Sequence, residues 1–319
     1  MRLDSMRLDS MRLESMRLES MRLDRMSLGQ NGLNRSGGAV SWARRVAAAA
    51  TGAVLTAATD RAAAAVTAKA GRSPAGWTRT NYRGRSVTLG GGVAAALGAG
   101  VTATAFAPRG LRAPVALVAT AAAVAGVYDD LVAPRLELSG DKGWRGHVQA
   151  LRSGRPSGGV VKVAVIGAAA VGAARLSTGS WVAAGPAAAL IAGTANLVNL
   201  FDLRPGRAGK VVSVLAAAQM SGPVAGPAAA VLGAALAELP GDLGETRMLG
   251  DTGANPLGAL LGLRLAANGT RARWAALGVV TALTVASERV SFTQVIAGHA
   301  PLRALDEWGR RPADPRPSP

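Results

Sequence analysis

About nine apolar stretches, built mainly of Ala, Val, Leu and Gly, follow one another through this chain. They fall near residues 43–66, 87–106, 113–128, 159–175, 181–200, 209–221, 223–239, 255–267 and 273–288. Inside a bilayer no water satisfies the backbone, so spanning segments are helices or closed barrels. Continuous apolar runs of this length read as helices. The fold expected is therefore all-α: a polytopic transmembrane bundle of about nine or ten spans. Several runs are shorter than the roughly 20 residues an upright span needs. Alanine is also a weak hydrophobe, which makes each single span less secure than a Leu-rich one.

Four small polar clusters interrupt these runs. They are Tyr128-Asp129-Asp130, the set Asn196, Asn199 and Asp202, the segment Gly250-Asp251-Thr252-Gly253-Ala254-Asn255, and the surroundings of His299. An even number of runs separates each cluster from the next, so all four reach the same membrane face. Lys and Arg are denser in the loops on that face than on the other, where Arg109, Arg112, Arg175, Arg264, Arg271 and Arg273 lie. Positive charge favours the cytoplasmic side, so the clusters are expected there, at the inner face of a plasma membrane. Arg44 and Arg45, just before the first run, go against this orientation.

Charge narrows the function classes. Net charge is +17, but only 17% of residues are charged and aromatics make up 3%. A nucleic-acid binder would carry basic clusters interleaved with aromatics on a soluble domain. Here the basic residues sit in short loops, which suits anionic phosphates and the inner leaflet. The absence of cysteine excludes disulfides and thiolate metal sites.

The chain divides into three parts. Residues 1–40 combine a tandem pentapeptide (Met-Arg-Leu-Asp-Ser and variants, through residue 25) with a Gly/Asn/Ser linker. A five-residue period matches neither helical nor coiled-coil spacing, so this part is expected to be disordered and dispensable. Residues 41–305 form the membrane domain, and 306–319 a Pro/Arg-rich tail.

Each cluster has chemistry that suits a phosphate-bearing substrate. Adjacent Asp129 and Asp130 suit Mg²⁺, which is usually held by one or two carboxylates plus substrate phosphates. Two acids at a helix C-terminus oppose the helix dipole, which disfavours a purely structural role. Asn196, Asn199 and Asp202 repeat every three residues and so share one helical stripe. Arg204 follows directly. Around Asp251, glycines allow close approach of backbone N–H groups to phosphate before a helix N-terminus. Lys142 and Arg145, in the loop 131–162, could hold phosphate as a point charge and as a fork. His299 is one of two histidines. The alternatives are a solvated helix end, interhelical hydrogen bonds, a bland Gly-Asp turn and loops facing anionic lipid.

Order and content of these segments resemble the polyprenyl-phosphate N-acetylhexosamine-1-phosphate transferases (glycosyltransferase 4 family) over about residues 75–305. Asn81 to Gly92 resembles a diverged first cytoplasmic loop. Gly126-Val-Tyr-Asp-Asp130 resembles the family's Asp-Asp motif, and Asn199-Leu-Phe-Asp202 the start of its nucleoside motif. Leu249-Gly-Asp-Thr-Gly253 is close to Met-Gly-Asp-Thr-Gly, and His299 falls where the family carries a histidine cluster. The resemblance implies a reaction in which a polyprenyl phosphate such as undecaprenyl phosphate attacks a nucleotide-sugar of the UDP-N-acetylhexosamine kind. A nucleoside monophosphate leaves, as a step in cell-envelope glycan synthesis. It further implies Mg²⁺, with Mn²⁺ as a substitute, held by Asp251 and Asp130. One of Asp129 and Asp130 would orient or deprotonate the lipid phosphate, Asn199 and Asp202 would line the nucleoside side, and His299 would help hold phosphate. A homodimer is left open.

Departures bear on that reading. The nucleoside motif continues Leu203-Arg204-Pro205 instead of supplying a second Asp, and the histidine cluster is reduced to His299. The alternative is a non-catalytic relative, either a transporter or flippase of lipid-linked intermediates or a scaffold. A transporter predicts inverted repeats, which the sequence does not display. The Asp-Gly-x-x-Ala-Arg signature of the CDP-alcohol phosphotransferases is absent.

Overall fold

In the computed structural model, which describes residues 41–71, 76–136, 158–222 and 224–312, the apolar runs are helices. They are α1 (Trp42–Ala70), α2 (Gly90–Phe106), α3 (Arg112–Val127), α4 (Gly158–Thr178), α5 (Trp181–Phe201), α6 (Arg207–Ala218), α7 (Ala225–Leu243), α8 (Gly250–Ala266) and α9 (Thr270–Ser287). Two short helices follow, α10 (Phe292–Gly298) and α11 (Ala300–Glu307). The fold is an all-α bundle. Among the described residues, three helices are long and apolar enough to cross a membrane: the segment Arg109–Arg135 around α3, α4, and α5. A fourth forms if α9 and α10 count as one span broken by a 92° bend. That is fewer than the nine runs suggest. Helix α2 has 17 residues, or about 25 Å of rise, short of a hydrocarbon layer of about 30 Å. Helix α7 carries two buried acids, Glu238 and Asp242, in its last turns.

Small residues set how the helices meet. The core is mostly alanine, and glycines bring backbones into direct contact. A methyl group added at Gly258 would sit 2.6 Å from the Thr194 carbonyl oxygen, and one at Gly262 would sit 2.6 Å from that of Leu190. Gly258-x-x-x-Gly262 is thus the seam between α8 and α5. Without a hydrophobic drive between helices in lipid, such close packing and interhelical hydrogen bonding hold a bundle together. Almost all of α8 is buried, against α5, α3 and α2. It is the central helix, and the other elements locate its N-terminus.

Three local departures from the expected pattern matter. Helix α8 starts at Gly250, five residues before the apolar run, so Asp251 lies in its first turn and Pro256 inside it. Helix α3 does not stop at the paired acids. It continues as a wide π-turn over Tyr128–Val132 and a 3₁₀ turn over Ala133–Leu136. A hairpin is added to the helices: β1 (Thr78–Thr80) pairs antiparallel with β2 (Ser86–Thr88). Its turn is held by Asn81, whose side-chain oxygen accepts from the N–H of Arg83 (2.9 Å) and of Arg85 (3.0 Å). Strand β2 also binds the loop before α8: Met248 N–H donates to the Thr88 carbonyl at 3.0 Å. The first loop and the segment leading into Asp251 are therefore tied together.

Candidate functional site

The start of α8 collects the polar clusters. Gly126 lets α3 press on it, since a methyl there would lie 2.4 Å from the Asp251 carbonyl oxygen. The next turn of α3 then brings Asp129 and Asp130 to α8 from the side. Their roles differ. Asp130 receives the N–H groups of Asp251 (3.2 Å) and Thr252 (2.9 Å) and the Thr252 hydroxyl (2.7 Å). It satisfies the orphan donors at the head of α8, the work usually done by the N-cap residue, here Leu249, which offers no side-chain acceptor. Because the cap comes from another helix, it fixes α3 to α8.

Asp129 faces the other way. Its Oδ2 lies 3.0 Å from Lys162 Nζ on α4. The same ammonium pairs with Asp251 Oδ2. Asn199 on α5 completes the set once its amide is turned to the orientation its neighbours require: the NH₂ then donates to Asp251 Oδ1 (2.7 Å) and the oxygen accepts from Lys162 Nζ (3.2 Å). Three oxygens from α3, α8 and α5 thus surround one cation from α4. Asp129, Lys162 and Asp251 side chains are 24%, 15% and 20% exposed, so the cluster is sheltered but reachable.

Beside it lies a cavity of about 280 Å³. Asp130 and Asp202 line it, with Arg79, Tyr82 and Leu89 from the first loop and with Arg204, Asp242 and Arg247 among the other lining residues. The Arg204 guanidinium lies 4.1 Å from the centre of the Tyr82 ring, within cation–π range. Arg79 donates to the Asp130 carbonyl. Arg247 shares its Nε–H between both Glu238 oxygens (2.8 and 2.9 Å), and its Nη1 lies 3.3 Å from Asp60. Asp202, at the end of α5, has a pKa well above the usual carboxylate range. Burial is the main cause, and the charges of Asp242, Asp251 and Asp130 add to it. Acids that raise each other's pKa in this way mark a place that gains from a bound cation.

The expected residues divide as follows. Asp129, Asp130, Asn199, Asp202 and Asp251 come together, and Arg204 lines the cavity. Asn196 points away and is exposed. Its stripe with Asn199 does not hold, because α5 turns that face out of the bundle. His299 is exposed at the α10–α11 junction, paired with the Val295 carbonyl at 2.8 Å, and does not line the cavity. Lys142 and Arg145 lie outside the described residues. As metal ligands Asp251 was paired with Asp130; the geometry instead turns Asp129 towards Asp251 and leaves Asp130 on the α8 backbone. Lys162, Arg79, Tyr82, Asp242 and Arg247 were not anticipated. For Lys162 a signal existed, since a lysine inside an apolar stretch is a functional candidate by default.

The oxygens of Asp129, Asp251 and Asn199 are hard donors of the type magnesium prefers, and their number suits an ion that keeps part of its shell for phosphate and water. No cluster of three or more His, Cys, Asp or Glu that could hold a metal occurs among the described residues, so an amide would have to serve as the third donor. Comparisons of the chain with protein-family models, with curated proteins and with solved structures found no match.

Proposed function

We propose that this protein is a membrane-embedded phosphotransferase that moves a sugar-1-phosphate from a nucleotide-sugar to a polyprenyl phosphate at the cytoplasmic face of the plasma membrane. One observation carries the reading: Asp129, Asp251 and Asn199, from three different helices, converge on a single positive charge beside a cavity lined with arginines. Opposed rings of acid and base suit a substrate whose phosphates need both a cation and direct hydrogen-bond donors.

Asp129, Asp251 and Asn199 would hold Mg²⁺, which when bound would neutralise charge on the diphosphate oxygens. Lys162, displaced from its carboxylates, would turn its ammonium to a phosphate oxygen. Arg79 and Arg204 would bring positive charge to the diphosphate, and Tyr82 would offer a flat apolar face to the nucleoside. Asp202 would hold a sugar or base hydroxyl. An oxygen of the lipid phosphate forms a bond to the β-phosphorus. The bond from that phosphorus to the bridging oxygen breaks, and the nucleoside monophosphate leaves with the electron pair. Asp130 contributes by fixing the α8 N-terminus, and so the position of Asp251.

A second reading, binding or flipping of lipid-linked intermediates without reaction, draws support from the same ion pair: an ammonium that already neutralises both carboxylates leaves less need for a metal. Transfer of label from a panel of nucleotide-sugars to undecaprenyl phosphate, with and without Mg²⁺, separates the two. Mg²⁺-dependent formation of a lipid-linked diphosphate sugar with release of the nucleoside monophosphate is expected. Saturable binding of lipid or nucleotide without release would favour the second reading.

A further inference from the structure

Beyond the last long helix, the chain returns to pack on the Pro205–Lys210 segment, whose Pro205 lines the cavity. Helices α10 and α11 and the residues up to Pro312 form a strap. Phe292 stacks on Phe201 at the end of α5, with ring centres 4.9 Å apart. Arg207, at the head of α6, is almost fully buried and forked onto Asp306 (2.8 and 2.9 Å), with a further bond to the Thr293 hydroxyl at 2.9 Å. Asp306 also receives Arg310 at 2.6 Å, and Arg310 donates to the Pro205 carbonyl at 2.9 Å. Lys210 binds the carbonyls of Leu305 and Asp306. None of these groups belongs to the cluster around Lys162.

The segment under the strap is the one that carries Asp202 and Arg204. It turns back at Gly206, which takes a left-handed φ of 72°. From below, Asp242 accepts its Gly206 N–H at 3.0 Å. From the strap, the carboxylate of Asp306 joins the guanidinium of Arg207, the last residue of the segment, to that of Arg310, which holds the Pro205 carbonyl. We infer that Asp306 is a positioning residue: by bridging Arg207 and Arg310 across the strap it holds the Asp202–Arg207 turn, and hence the Asp202 and Arg204 side chains, at the cavity wall. A carboxylate is required because without it two buried guanidiniums would repel each other and keep only neutral acceptors, Thr293 and Pro205. The placement of the turn follows from these contacts alone. Its consequence for a nucleotide-sugar rests on the proposed function.

Hydrogen exchange on the full chain in detergent or nanodiscs tests the placement. Asp306→Asn should speed exchange in peptides covering residues 202–210 about tenfold or more, the size expected when a charged hydrogen bond is lost, with α5 and α8 unchanged. Arg310→Ala, which spares the Arg207–Asp306 pair, should loosen the same turn. Asp306→Glu should restore most of the protection. Unchanged exchange at 202–210, or an equal rise throughout the bundle, would overturn the inference. In the transfer assay, Asp306→Asn should raise KM for the nucleotide-sugar about tenfold with kcat within about threefold. A loosened turn with unchanged KM would overturn the positioning role. If the wild-type chain transfers nothing, the proposed function fails, while the exchange result still decides whether Asp306 holds the turn.

Discussion

Lys162 is the residue on which the site balances. Its ammonium is shared by Asp129 and Asp251 at the meeting point of α3, α4, α5 and α8. Removing it leaves two facing carboxylates in a sheltered place, which is far costlier than losing a surface ion pair. Lys162→Met is expected to destabilise the protein by about 3 kcal/mol in the presence of chelator. Adding Asp251→Asn should recover at least about 1 kcal/mol, because the two positions are coupled. Thermal unfolding of the four proteins of this cycle measures it, and additive effects would contradict the shared charge. At this scale the acids were legible, since carboxylates and amides ending apolar runs stand out by composition alone. The division of labour between Asp129 and Asp130 was not, because it depends on which carboxylate the π-turn aims at the head of α8. Asn196 misled for the same reason: a helical stripe predicts neighbours along a helix but not which side of the bundle it faces.

Elements rather than single side chains hold the cluster in register. The seam between α8 and α5 runs through Gly258 and Gly262, where carbonyls of the partner helix occupy the space a side chain would take. Gly262→Val is expected to force the helices apart and cost about 1–3 kcal/mol or more. The Asp251–Asn199 contact should loosen with them, so binding at the site should weaken along with stability, as read by unfolding and nucleotide binding together. The strap answers to pH instead. Burial would raise the pKa of Asp306, but its bonds to Arg207 and Arg310 and their charges outweigh that and hold it below the usual value. A carboxylate with a lowered folded pKa stabilises fully above its unfolded pKa of about 3.9, and that contribution is lost as pH falls through the folded value. Between pH 6 and pH 4.5 the strap should therefore remain closed, and it should open on further acidification, which emission from exposed Trp308 beside it can follow. Opening near neutral pH would contradict the assignment. Helix positions were legible from hydropathy, but the start of α8 was not, since Gly250 to Ala254 read as a turn until a cap arriving from α3 makes them helical. The strap was missed because residues 306–312 read as a charged tail, and their partners, Arg207 and Pro205, are distant in sequence.

As a whole, the molecule is a small-residue bundle whose polar segments gather at one end of its central helix. Polar residues at the ends of apolar runs marked three of the segments that gather there, while the even count of crossings between them belongs to a nine-span topology of which three or four helices are long and apolar enough among the described residues. Which runs cross a bilayer was less legible: alanine-rich helices of 17 to 19 residues satisfy a hydropathy pattern without the length or apolarity of a full span. The hairpin at residues 78–88 was invisible for a related reason, since strands of three residues have no room for an alternating signature. Its bonds to Met248 nevertheless join the first loop to the segment that leads into Asp251, and both line the cavity. The central claim is that distant acids converge there to perform phosphoryl transfer with a divalent cation. Release of nucleoside monophosphate by purified Asp251→Asn protein, compared with wild type at saturating Mg²⁺, tests it most directly. We predict release by the wild type and a loss of at least about a hundredfold in the variant, with its unfolding transition and helix content retained. Equal release from a correctly folded Asp251→Asn protein would contradict the account.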